Sequence, residues 1–159
     1  NFDPPAFCFT NNDFETFTAG VANDWTASGS SAAYSASTDS YSGNYSQEIK
    51  WISSGAKLSA IYQHVWVEVG VPYTVNVFFL MNNTDRVNGW IGVDLNGGTD
   101  PNVHDYGTSA PRASWGGKSL SFTKTSGEDG WATIFVGAYG SLVWANDWCR
   151  IDLITPACN

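Results

Sequence analysis

Ala60-Ile61-Tyr62-Gln63-His64-Val65-Trp66-Val67 reads as a β-strand whose two faces are both occupied by large side chains. Side chains alternate across a strand, so Ile61, Val65 and Val67 share one face while Tyr62, His64 and Trp66 share the other. A strand with one face in water would carry Ser, Thr or Lys where these aromatic groups stand. The pattern recurs twice. Around Asn88 to Leu95, Ile91, Val93 and Leu95 oppose Trp90 and Asp94; from Trp131 to Val136, Ala132, Ile134 and Val136 oppose Trp131, Thr133 and Phe135. Three such strands predict a sheet with one face on the core and an aromatic second face shaped to meet something flat.

Outward from these strands, turn residues punctuate the chain at short intervals. An interrupted first strand is expected at Ala6–Phe9 and Phe14–Phe17, then strands at Trp25–Ser28, Ala33–Ser37, Asn44–Trp51, Lys57–Val67, Tyr73–Met81, Gly89–Leu95, Lys118–Thr123, Trp131–Val136 and Asp147–Ile154. Glu68-Val69-Gly70-Val71-Pro72 reads as a turn joining two of them. Helical windows are all broken by Gly, Pro or β-branched runs. Many short strands with turn signals between them predict an all-β, two-sheet antiparallel sandwich, a jelly-roll with a concave binding face, built as one domain over residues 1–159. The longest irregular stretch, Asn96 to Gly117, is the candidate loop to line a site.

Only 14% of residues are charged, against about 25% in ordinary soluble proteins. Fifteen acidic and seven basic residues leave a net charge of −8, which argues against nucleic acid or an anionic membrane as partner. No apolar run approaches the roughly 18 residues of a membrane span. This low-charge, hydroxyl-rich composition suits a secreted chain. Asn44-Tyr45-Ser46 and Asn82-Asn83-Thr84 are possible N-glycosylation acceptors.

Four segments resemble carbohydrate-binding modules of the family 4, 9 and 22 kind. Asn12-Asp13-Phe14-Glu15 followed by Trp25 is similar to their opening. Tyr41-Ser42-Gly43-Asn44-Tyr45-Ser46-Gln47-Glu48-Ile49 resembles a Ser-Gly strand, and Tyr62 to Val67 through Gly70 to Tyr73-Thr74-Val75 resembles a hairpin. Trp148-Cys149-Arg150-Ile151-Asp152-Leu153-Ile154 resembles the closing strand. The resemblance implies a jelly-roll that binds a β-linked polysaccharide of the glucan or xylan class without catalysis, as a monomer or as part of a larger multidomain enzyme. It also implies a structural calcium held by Glu15 and Asp152, with Asp13, Asp39 or Asn44 nearby; calcium accepts six to eight oxygens in irregular geometry.

The ligand set expected on this basis is Trp51, Tyr62, His64, Trp90, Asp94, Trp115, Trp131 and Phe135. Trp51 resembles a cleft-edge aromatic of xylan-binding relatives, and Trp115 sits in the long loop where it would cap a groove. Sugars present flat C–H faces ringed by hydroxyls, which aromatic planes beside hydrogen-bonding groups recognise. Trp25 and Trp148 read as scaffold. For Trp51, Trp66, Trp90, Trp115 and Trp131, a small second core beneath the long loop is the competing reading. If the first and last segments run antiparallel, Cys8 with Cys158 and Glu15 with Asp152 share a nearly constant index sum. That favours a Cys8–Cys158 bridge with Cys149 free, against three reduced core cysteines.

Enzymatic alternatives have less to stand on. Glycoside hydrolysis needs two carboxyls at a set separation, and only Asp94 with Glu128 or Asp129 offers a pair. His64 and His104 are the only histidines, and no Gly-x-Ser-x-Gly elbow occurs. A jelly-roll polysaccharide lyase or hydrolase is the catalytic rival. A cell-surface adhesion domain using the same aromatic face is the non-catalytic one.

Overall fold

The computed structural model describes residues 2–159 and contains strands but no helix among them. The chain forms β1 (Phe17–Thr18), β2 (Val21–Ala22), β3 (Thr26–Gly29), β4 (Ala33–Ser37), β5 (Ser46–Lys50), β6 (Gly55–Val67), β7 (Pro72–Met81), β8 (Asn88–Asp94), β9 (Tyr106–Ala110), β10 (Gly116–Thr123), β11 (Gly130–Val143) and β12 (Trp148–Thr155). Two five-stranded antiparallel sheets pack face to face, one ordered β3-β6-β11-β8-β9 and the other β10-β7-β12-β5-β4; β1 and β2 form a small separate pair. This is the two-sheet sandwich that the strand pattern predicts.

Alternation explains the packing. Ile61, Val65 and Val67 of β6, Ala132, Ile134 and Val136 of β11, and Ile91 and Val93 of β8 enter the core from the first sheet. Val75, Val77, Phe79 and Met81 of β7, with Ile49, Cys149 and Ile151, meet them from the second. Cys149 is a free, fully buried thiol, and burial raises its pKa. The long strands β6 and β11 pair continuously from Gly130 opposite Val67 to Gly140 opposite Lys57, so their outward phases also run side by side.

Several local expectations need correction. The turn after β6 is not a hairpin: β6 and β7 lie in different sheets, and Glu68 to Val71 carries the chain across, with Gly70 N–H bonded to the Lys124 carbonyl. The first strand is interrupted as expected, Asn11 and Phe14 adopting left-handed backbone (φ 43° and 54°), but it is reduced to an isolated bridge at Phe9 and the pairing of Phe17 in β1. The disulfide joins Cys8 to Cys158 as expected. The bridge beside it, Phe9 with Ala157, is locally parallel, yet Ile154 N–H donates to the Asn12 carbonyl at 2.8 Å, so partners move back along the last segment as the expected index sum requires. Finally, the stretch expected to be irregular from Asn96 to Gly117 contains β9, an edge strand paired with β8. Its outward residues, Gly107 and Ser109, are too small to show alternation.

Trp51 is not at a cleft edge. It is fully buried in the core, and its indole N–H donates to Ser59 Oγ at 2.9 Å. Trp51→Ala should therefore lower unfolding free energy by about 3–5 kcal/mol, the usual range for emptying a buried aromatic site. Urea denaturation checks this, and a loss below about 1 kcal/mol would place the ring outside the core.

Candidate functional site

The outward face of the β3-β6-β11-β8-β9 sheet carries Leu58, Ala60, Tyr62, His64 and Trp66 from β6. Beside them stand Trp131, Thr133, Phe135, Gly137 and Tyr139 from β11, with Trp90 and Asp94 from β8. Much of this face is covered by the chain itself. Residues 95–105 leave the end of β8, cross over β11 and β6 to the far edge, and return to start β9. At the far edge Ser28 Oγ donates to the Thr99 carbonyl, and Pro101 packs against Gly29. Three strand spacings at about 4.8 Å each mean that the strap reaches roughly 14 Å across the sheet. Asp105 holds its two ends together: its N–H donates to the Val93 carbonyl at 2.8 Å and its Oδ2 accepts Leu95 N–H at 2.8 Å.

Beneath the strap a second, small apolar cluster forms from Ala60, Trp90 and Phe135, with Leu58 and Tyr62 against it. Phe135 is fully buried and Trp90 is 6% exposed. The benzo edge of the Trp90 ring lies over Gly92, where any Cβ would strike it, and the His104 ring meets Trp90 edge-on at 5.1 Å. Phe135 and Tyr62, expected to face a ligand, therefore serve as padding between sheet and strap. Asp94, also expected there, is 5% exposed; its Oδ1 accepts Asn96 N–H at 2.8 Å and anchors the strap's foot.

The strap leaves a cleft on each side. Its returning limb walls a cleft of about 530 Å³, with Trp90, Leu58 and Tyr139 as apolar surface and Asn102, His104, Asp105 and Ser109 as polar lining. His104 is oriented by Nδ1 on the Pro101 carbonyl at 2.7 Å. Its outgoing limb walls a cleft of about 410 Å³ between His64, Trp131, Asn96 and Gly97. His64 is exposed here and Trp131 is 52% exposed. Tyr139 was not singled out from the sequence. It continues the phase of Trp131, Thr133 and Phe135, but Gly137 and Gly140 read as strand-ending punctuation.

Trp115 lies on the opposite sheet. Its indole N–H donates to Asp39 Oδ1 at 3.1 Å, and its ring sits 6.3 Å from Tyr41, which stacks on Phe78 at 3.7 Å. It cannot cap either cleft. Trp25 stacks on Phe9 in the core as expected of scaffold, whereas Trp148 is half-buried on the surface under the Arg150 guanidinium at 3.9 Å.

Glu15 and Asp152 converge on one loop. Asp152 Oδ2 accepts the N–H groups of Tyr41 and Ser42 at 2.7 and 2.8 Å, and Glu15 Oε1 accepts those of Asn44 and Tyr45 at 2.8 and 3.0 Å. Burial lifts the Asp152 carboxyl to about 6 against the pull of these donors, and the Glu15 charge adds to the rise. Burial acts upward on Glu15 too, but the donors from Tyr45 and Asn44 prevail and hold it low. The Asn44 side-chain amide donates to Glu15 Oε2 at 3.1 Å. Asp39 is committed elsewhere, accepting from Arg150 Nη1 at 2.7 Å as well as from Trp115. Asp13 lies half-buried in the turn before Glu15. Among the described residues no three His, Cys, Asp or Glu side chains form a metal-holding cluster.

No sequence family and no curated protein matches the chain. Among solved structures it is similar to the family 61 carbohydrate-binding module TmCBM61 in complex with β-1,4-galactotriose. The TM-score is 0.64 at 20% identity, covering 94% of this chain and 97% of that one. It is similar to the CBM22-1 xylan-binding domain of Paenibacillus barcinonensis Xyn10C, at TM-score 0.59 and 12% identity over 89% and 88% of the two chains. The enzymatically active domain of bacteriophage CBA120 tailspike protein 4 also matches, at TM-score 0.60 and 14% identity, over 93% of this chain and 21% of that one. The jelly-roll sandwich is thus a fold shared with carbohydrate-binding modules.

The strap's two anchorages make a prediction about motion. Replacing Ser28 with Ala and Pro101 with Gly should loosen residues 95–105 and leave the strands in place, since the main core lies on the sheet's other face. Hydrogen exchange should show faster exchange at Val103 and Asp105, with unchanged protection in β6 and β11. Uniform protection in the variant would mean that the strap does not depend on these contacts.

Proposed function

We propose that this chain is a non-catalytic polysaccharide-binding module that takes a β-linked glycan in the cleft between Trp90, Tyr139 and the returning limb of the strap. The observation that carries the reading is the composition of that cleft. Tyr139 is 41% exposed on a central strand paired on both sides, and polar groups of Asn102, His104 and Ser109 ring the apolar surface. Aromatic planes supply contact area for sugar C–H faces, and the polar rim supplies hydroxyl partners. The fold shared with xylan-binding and galactotriose-bound modules supports the same class of ligand. Hydrolysis by paired carboxylates has little support in this cleft, where Asp105 is the one carboxylate and is already bonded to Leu95 N–H. The Cys8–Cys158 bridge supports an extracellular setting, where disulfides persist.

Affinity electrophoresis with soluble xylan, β-1,4-galactan and mixed-linkage glucan tests the reading. At least one should retard the protein, little affected by salt because few charges take part. Tyr139→Ala should weaken binding about tenfold, the equivalent of one aromatic contact of about 1.4 kcal/mol, with the melting temperature nearly unchanged. Retardation by none, or release of reducing or unsaturated ends from the polysaccharide, would overturn it.

Calcium is proposed at Glu15 and Asp152. Each carboxylate keeps lone pairs beyond those its N–H donors use, and a cation would offset the repulsion between them, with backbone carbonyls completing the shell. A ligand bound only by the folded state stabilises it. Chelation of calcium-loaded protein should therefore lower the melting temperature by several degrees, and added calcium should restore it. No change on chelation would remove calcium from the account.

A further inference from the structure

We infer that the cleft between His64 and Trp131 is a second glycan site, independent of the first, so that one chain can hold two glycan strands. The inference rests on the glycan-binding reading and concerns how many ligands the face accepts. Trp131 presents a half-exposed indole, and Trp66 meets it edge-on (5.6 Å between centroids, 87° between planes), which restricts the ring's tilt. The His64 imidazole is oriented by Nδ1 against Thr133 Oγ1 at 3.1 Å, leaving Nε2 for a ligand. Asn96 supplies an amide at the strap's foot. Gly97 (φ +76°) lets the strap pass close above the Trp131 carbonyl and so close the cleft on that side. An aromatic plane with an imidazole and an amide, and no carboxylate or ammonium, suits a neutral polyhydroxylated ligand rather than an ion.

Independence follows from the strap. The two clefts lie along its opposite limbs, with Phe135 buried and Tyr62 partly buried between them. Trp131 and Tyr139 are eight residues apart on β11, about 27 Å at roughly 3.4 Å per residue. Asn96 and Gly97 of the strap wall one cleft and Asn102 and His104 the other, so the strap stands between a short glycan in one cleft and the other cleft. On a polymer the two sites would add avidity or cross-link neighbouring strands, depending on whether one strand can reach both.

Titration calorimetry with short oligosaccharides tests this, using xylotetraose, cellotetraose and β-1,4-galactotetraose as probes. The parent protein should take up two equivalents of a binding tetrasaccharide. Trp131→Ala and Tyr139→Ala should each take up one and the double variant none, all with near-parental melting temperatures. One equivalent in the parent, unaffected by Trp131→Ala, would overturn the second site while leaving the glycan-binding reading intact. Loss of all binding in either single variant would show one continuous site and overturn it equally. Binding of none of the tetrasaccharides while a polysaccharide still retards the protein would also overturn it. Failure of both would overturn the glycan-binding reading itself.

Discussion

A sheet that carries large apolar side chains on both faces must have both faces covered, and this requirement organises the molecule. β6, β11 and β8 alternate aliphatic residues on one side with aromatic residues on the other. The second sheet covers the aliphatic side. Nothing of comparable size covers the aromatic side, so residues 95–105 cross it and dock at the far edge through Ser28 and Gly29. Burying Phe135, Trp90 and much of Tyr62 in this way contributes hydrophobic stabilisation of the same kind as the main core. The clefts are the parts of the aromatic face that an eleven-residue strap is too narrow to cover.

This division of labour separates aromatic residues that look alike in the sequence. Phe135 and Tyr139 share a phase on one strand, yet one is buried and the other 41% exposed, because the strap passes over only the first. Trp90 has both roles: its ring is pressed on Gly92 under His104, and its edge forms part of a cleft wall. The strap's anchorages at Ser28, Gly29 and Asp105, with His104 Nδ1 on the Pro101 carbonyl, place the polar groups of Asn102 and His104 before any ligand arrives, which reduces the ordering cost of binding. At the other sheet, Glu15 and Asp152 immobilise the loop of Tyr41 to Tyr45 through its backbone N–H groups, so that region is organised by two carboxylates.

Strand alternation made the sandwich legible, because a period of two survives in β6, β7, β8 and β11 without reference to tertiary contacts. It also showed that the second face would be aromatic. What it could not show is which rings the chain would bury for itself. The Ser28–Thr99 hydrogen bond and the Pro101–Gly29 contact join segments far apart in sequence and leave no periodic trace. Trp51 follows a strand whose register carries it inward, and its partner Ser59 is equally silent in the sequence. Tyr139 was hidden by flanking glycines that read as a strand end, and β9 by side chains too small to alternate. The disulfide was legible from the positions of its cysteines, although the local strand direction was not.

The central claim is that a glycan meets this protein on the strap side of the β3-β6-β11-β8-β9 sheet. Chemical-shift mapping with isotope-labelled protein and a binding xylan, galactan or glucan oligosaccharide tests it most directly. The account predicts shifts at Tyr139, Ser109, His104 and the Trp90 indole N–H, while the Trp51 and Trp25 indoles stay fixed. Shifts confined to Tyr41, Phe78 and Trp115 on the other sheet would contradict it.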